Sequence, residues 1–106
     1  MNFPGGMQNF MKQAKQMQAK MAKLQEELKT KTVEATSGGG AVVAVATGET
    51  LLSSITIKKD VMEAGDLEML QDLVLTASNE ALKKAKTMAE AEMTKITGGM
   101  SVPGLF

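Results

Sequence analysis

Residues 32–57 read TVEATSGGGAVVAVATGETLLSSITI. Their period is two. TVEAT alternates, AVVAVAT is rich in β-branched residues, and LLSSITI ends on Ile55 and Ile57, the pattern of strands rather than of a helix. The breaks are short, SGGG at 37–40 and GET at 48–50. Connections that tight join antiparallel neighbours, so the stretch predicts a three-stranded meander. Gly38, Gly39 and Gly40 can supply positive φ in the first turn, and Gly48 in the second. A glycine run can also cradle phosphate, but no Gly-Lys-Ser/Thr follows and no helix starts there.

On either side of the meander the period lengthens. From Met7 to about Lys29 the chain has no Pro or Gly and is built from Gln, Lys, Ala, Met and Glu, all good helix formers. Its regularly spaced apolar positions are Met7, Phe10, Ala14, Met17, Met21, Leu24 and Leu28. They are spaced by three and four in turn, as in a coiled-coil seam. Phe10, Met17, Met21, Leu24 and Leu28 are therefore candidates for a core or dimer seam. After the meander a short turn is expected over Val61–Gly65. Asp66 then suits the N-cap of a second long helix, which Gly98 and Gly99 stop after Thr97. Leu70, Leu73, Val74, Ala77, Ala81, Ala85 and Met88 form its apolar stripe, which broadens at Met93 and Ile96. Residues 1–6, MNFPGG, read as a flexible leader. The tail from Gly98, GGMSVPGLF, reads as flexible or as a loose cover. The order helix, three strands, helix predicts one α+β domain over residues 1–106.

Element lengths then bear on assembly. The helices should run about 35 and 48 Å at 1.5 Å per residue, whereas a seven-residue strand covers only about 23 Å. The helices must overhang the sheet, and their apolar stripes continue into the overhang. Exposing such a stripe costs roughly 25 cal/mol per Å². A three-stranded sheet also leaves two open edges. A homodimer answers both difficulties.

Composition narrows the chemistry. The 106 residues include no His, Cys, Trp or Tyr, and ten Met supply much of the apolar volume. The commonest general base, the thiolate nucleophile and the best metal ligands are all missing. Glu90 and Glu92 are two apart and Glu26 and Glu27 adjacent, so neither pair shares a helix face. Neither catalysis nor a metal, cofactor or small-molecule substrate is expected. No apolar run approaches the roughly 20 residues that span a bilayer, and the start does not resemble a signal peptide. A soluble, cytoplasmic protein without a membrane partner is the expectation.

The charges are balanced in number, 12 basic against 12 acidic, but not in place. MKQAKQMQAKM at 11–21 holds three lysines and no acid, and the first acid of the chain is Glu26. On a wheel of 100° per residue Lys12, Lys15 and Lys23 fall at about 120°, 60° and 140°, opposite an apolar seam near 290°, with Lys20 on the flank. A solvated outer face and a ridge for phosphates both fit this pattern. Lys83, Lys84 and Lys86 form a second cluster, partly offset by Glu80, Glu90 and Glu92, while Glu63, Asp66, Glu68 and Asp72 gather elsewhere. The chain has no Arg. Lysine acts as a point charge suited to backbone contact rather than to bidentate reading of guanine.

Three stretches together resemble the YbaB/EbfC family of bacterial nucleoid-associated proteins. MKQAKQMQAKMAKLQEEL at 11–28 resembles its first helix, and SGGGAVVAVATGETLLSSITI at 37–57 its glycine-punctuated meander. LEMLQDLVLTASNEALKKAK at 67–86 is similar to its second-helix signature around Asp72, Leu73, Val74, Asn79 and Ala81, and GGMSVPGLF to its tail. The resemblance implies an α+β homodimer with helices projecting like tweezers. It also implies binding of double-stranded DNA through the first and last helices, in the nucleoid, beside genes for a recombination mediator and a clamp-loader subunit. Basic residues common in the family's strands are here Ala, Ser, Thr and Glu. That leaves Lys12, Lys15, Lys20, Lys23, Lys83, Lys84 and Lys86 on the helices as the DNA-binding candidates. Asn79 could touch DNA or fix a dimer contact, or it could hydrogen-bond across the seam and set register; the behaviour of buried Asn in coiled coils favours the structural reading. A dimeric protein-interaction adaptor or chaperone-like protein, with a Met-rich seam that accepts partner helices, is the competing expectation.

Overall fold

The computed structural model describes residues 4–98. In chain order these form α1 (Pro4–Thr30), β1 (Thr32–Ser37), β2 (Val42–Thr47), β3 (Leu52–Ile57), α2 (Lys59–Glu63) and α3 (Leu67–Thr97). The fold is α+β, as the sequence predicts. The strands make one antiparallel sheet in the order β1-β2-β3. Thr32 pairs with Thr47 at one end of β1–β2 and Ser37 with Val42 at the other. Val42 also pairs with Ile57, and the β2–β3 ladder slips between Val45 and Ala46. Gly38, Gly39 and Gly40 turn the first hairpin with φ of 59°, 67° and 94°.

The second hairpin departs from expectation. Gly48 does not carry the positive φ; Thr50 does, at 64°. Thr50 N–H donates to Thr47 O at 2.9 Å and Thr47 N–H to Leu51 O at 2.8 Å. This is a three-residue loop whose last residue sits in the left-handed region, where Gly is usual. Gly48 is small for another reason. A Cβ there would stand 2.9 Å from Leu28 Cβ and 2.9 Å from Leu28 O. Its N–H donates to the carbonyls of Leu28 and Lys31, both at 2.9 Å, so the end of α1 lies directly on the turn.

α3 lies across one face of the sheet on a bed of alanines. Ala77, Ala81 and Ala85 of the helix and Ala35, Ala44 and Ala46 of the strands are buried, with Val42, in a single core. Small residues on both sides let helix and sheet approach closely, and Leu73, Val74, Leu82, Val33 and Ile57 close its borders. Ser37 Oγ donates to Leu73 O at 2.6 Å and locks the end of β1 to the helix. α3 starts as the sequence predicts: Asp66 caps it, its Oδ1 accepting from Met69 N–H at 3.0 Å. Gly98, with φ of 65°, ends it.

Two boundaries move. α1 begins at Pro4, so Pro4, Gly5 and Gly6, expected in the leader, form its first turn; Pro is pre-organised for that position. The turn expected over Val61–Gly65 is the short helix α2, which begins two residues earlier at Lys59 and is followed by Gly65 with φ of 71°. The remaining leader, 1–3, and the tail from 99 lie outside the described residues.

Candidate nucleic-acid interface

α1 and α3 run antiparallel, and α3 stops before α1 does. Ile96, one residue before the end of α3, lies beside Gln13, Gln16, Met17 and Lys20. Met21, Leu24 and Leu28 are buried, Met17 is half-buried, and residues 6–16 are all exposed. The seam candidates thus divide. Three enter the core of a single chain, while Phe10, at 69 % exposure, stands on the part of α1 that nothing covers. The described molecule is long and thin, 74 × 20 × 17 Å, because α1 projects from the end where α3 finishes.

Lys12, Lys15, Lys20 and Lys23 are all exposed on α1. The ion pairs among the described residues are Lys29–Glu26, Lys31–Glu92, Lys59–Glu63 and Lys95–Glu92. None uses these four lysines, so their charge is unopposed among the described residues. Lys12 and Lys15 lie on the projecting half; Lys20 borders Ile96, and Lys23 lies on the half that packs against α3.

The second cluster stands apart. Lys83, Lys84 and Lys86 are exposed beside β1, and Lys84 Nζ donates to Glu34 O at 3.0 Å. From Lys84 to Ile96, where α3 meets the α1 lysines, is ~18 Å along the helix. The two clusters do not form one patch on a single chain. Lys84 is engaged by the sheet, and on the wheel Lys83 and Lys86 point to the solvent side. Asn79 is exposed, and its neighbour Ser78 is the buried one.

Between the clusters a small ionic tie joins the helices. Glu92 Oε1 receives Lys95 Nζ at 3.2 Å and Lys31 Nζ at 3.3 Å. The hydrogen bond from Lys95, then that from Lys31, holds the Glu92 carboxyl below its ordinary value. The hydrogen bond that Lys29 Nζ donates to the Glu26 carboxylate raises the Lys29 ammonium above its ordinary value. Among the described residues no group of three or more His, Cys, Asp or Glu is placed to hold a metal ion. No described helix is long and apolar enough to cross a membrane.

An apolar surface went unread in the sequence. Leu51, Leu52 and Ile55 of the β3 side, Met62 after it, and Leu67 and Leu75 of α3 are exposed. LLSSITI has the composition of a covered strand, but α3 covers β1 and β2 and leaves β3 open. The period-two pattern marks which residues share a face and is silent on how far a helix reaches across it.

Comparison with known proteins joins these features to a family. Residues 3–100 match the YbaB/EbfC DNA-binding family. A nucleoid-associated protein of Acetivibrio thermocellus is 57 % identical over 105 residues, 98 % of this chain and 93 % of that protein. One of Thermoanaerobacter pseudethanolicus is also 57 % identical, over 98 % of this chain and 96 % of its own. The crystal structure of the uncharacterized protein HP0035 from Helicobacter pylori superposes with a TM-score of 0.61 at 24 % identity. It covers 74 % of this chain and 90 % of its own, and so shares the fold.

Proposed function

The chain belongs to the YbaB/EbfC DNA-binding family, and from that premise we propose that it binds duplex DNA of the bacterial nucleoid as a homodimer, chiefly through lysine–phosphate contacts from α1. One observation carries this reading. Lys12, Lys15, Lys20 and Lys23 are exposed without a carboxylate partner among the described residues, and the first two stand on a helix that projects clear of the fold. A thin, positively charged rod meets a duplex without burying apolar surface. Lysine point charges bind phosphate without reading bases. Sequence preference then arises from DNA shape or from the spacing of the two arms of a dimer. The open edges of the sheet and the exposed apolar flank of β3 support the dimer. Lys83, Lys84 and Lys86 play the smaller part, because they lie apart from the ridge and Lys84 is already engaged.

The test is a titration of duplex DNA from about 50 to 200 mM salt. With two or three phosphates neutralised per protomer, a dimer gives a log–log slope of roughly −4 to −5. Replacing Lys12, Lys15 and Lys23 by Gln keeps helix propensity on an exposed face. It should flatten the slope and weaken binding to all sequences alike. An unchanged slope would move the contact surface to the Lys83–Lys86 cluster. Absence of any salt-sensitive binding by the parent would leave the adaptor reading.

A further inference from the structure

β1 is an edge strand, and one wall of α3 stands beside it. The strand order is β1-β2-β3, so β1 has a strand neighbour on one side alone among the described residues. One contact shows which way its main chain faces. Lys84 Nζ reaches Glu34 O from α3 at 3.0 Å, so this carbonyl is turned away from β2. In an antiparallel strand both main-chain groups of a residue point the same way, and alternate residues repeat the direction. Thr32, Glu34 and Thr36 therefore present N–H and C=O groups outward, along an edge ~13 Å long. Between that edge and the helix runs a shallow groove lined by Val33, Glu80, Lys83, Lys84, Thr87 and Met88. Val33 and Met88, both half-buried, give it apolar surface. Lys83 and Lys84 form no ion pair among the described residues, although Glu80 stands one turn before Lys84 on α3. The Lys84 ammonium rests on a neutral carbonyl, a weaker acceptor for it than a carboxylate.

We infer that this edge and groove form a docking site for an extended acidic segment of a partner protein, which adds to the sheet beside β1. The main chain of the segment pairs with Thr32, Glu34 and Thr36. Its alternate side chains face α3. One, apolar, sits on Val33 and Met88, and an aspartate or glutamate two residues along meets Lys84 and Lys83. Lys84 then moves from Glu34 O to the incoming carboxylate and frees that carbonyl for an N–H of the segment. With the segment absent, Lys84 covers the edge, as lysines on edge strands do against unspecific pairing. The outward main-chain groups favour a strand over a nucleic acid. A duplex can offer phosphate to Lys84, but it cannot pair along a row of alternating N–H and C=O groups. The site is separate from the lysine ridge of α1, and both can be occupied at once.

The probe is a fluorescein-labelled peptide, Thr-Val-Thr-Asp-Thr-Val-Thr, which sets Val, Asp and Val on one face when extended. Fluorescence anisotropy with the full chain should show saturable binding, about tenfold tighter than that of the same peptide with Lys in place of Asp. Lys84→Gln, at an exposed position and with similar helix propensity, should remove that preference. In the parent, the bound peptide should slow hydrogen exchange at residues 32–36 and leave residues 52–57, on the other edge, unchanged. Failure of the Asp peptide to bind, equal binding of the two peptides, or protection on β3 instead of β1 overturns the proposal. So does tighter binding by Lys84→Gln, which makes the lysine a guard of the edge and nothing more. Displacement of the bound peptide by a short DNA duplex also overturns it, and gives Lys83 and Lys84 to phosphate.

Discussion

Thr50 holds a φ of 64°, a region that a β-branched residue enters only under strain. The hairpin geometry demands it, because Thr47 O accepts from Thr50 N–H and Thr47 N–H reaches Leu51 O. Thr50→Asn should relieve the strain and stabilise the fold by up to about 1 kcal/mol, a rise in melting temperature of roughly 4 °C that calorimetry resolves. Gly48, the glycine the turn appeared to need, is answerable to Leu28 instead. Gly48→Ala places a methyl group against Leu28 Cβ and O, neither of which can rotate away. The expected loss is ~1–3 kcal/mol, as for overpacking, read by denaturant unfolding. Sequence alone could see that the turn contained one glycine and had to visit positive φ. It could not see that α1 ends on top of that glycine, because Leu28 is remote along the chain. The caps were legible for the opposite reason: Asp66 and Gly98 act on backbone groups a few residues away.

At the scale of elements, the alanine bed fixes how closely α3 lies on the sheet. Ala81 is fully buried among alanines of both layers. Ala81→Leu should therefore cost ~1–3 kcal/mol even though Leu is a good helix former, since the space rather than the propensity decides. The tie at Glu92 makes the α1–α3 junction sensitive to acid. Its carboxyl is held below the ordinary 4.5, first by Lys95 and then by Lys31. A lowered folded value means that the contribution is present above the unfolded value and is lost as pH falls through the folded one. Melting temperatures compared at pH 7 and pH 3.5 should show less acid destabilisation in Glu92→Gln than in the parent. The variant should be less stable than the parent chiefly at pH 7, and the difference should shrink at pH 3.5. Helix and strand identities were legible because each follows its own period. The extent of cover was not: β3 shares the pattern of β2, yet only β2 lies under α3. The first turn of α1 escaped notice because two glycines follow Pro4, and propensity counts against them.

At the scale of the whole molecule, the open flank of β3 bears on assembly. On the wheel Leu73 and Lys84 share the side of α3 that contacts β1. Leu75 and Leu82 fall on the other side, toward β3. Leu52 and Ile55 stand on that same side of the sheet, each 40 % exposed, and Leu75 is 61 % exposed. Their surface is apolar and lies away from the lysines of α1, so two chains joined there leave both arms free for DNA. The ridge lysines were legible in the sequence as an acid-free run, whereas this surface was not, because it is assembled from α3 and β3. Sedimentation of the parent at low micromolar concentration should give twice the 11.2 kDa chain mass. Ile55→Glu sets a charge in the centre of the apolar flank, where an unpaired charge cannot be buried between chains. It should yield a folded 11.2 kDa monomer with unchanged far-ultraviolet dichroism. Thr56→Glu, next along β3 and exposed on the opposite face, should remain a dimer and so control for a general effect of charge on the strand. A monomeric parent would remove the need for a partner altogether. A dimer that survives Ile55→Glu would move the interface to another face. If the proposed two-armed binding holds, loss of the dimer should also halve the salt slope of DNA binding, because one arm would then contact the duplex in place of two.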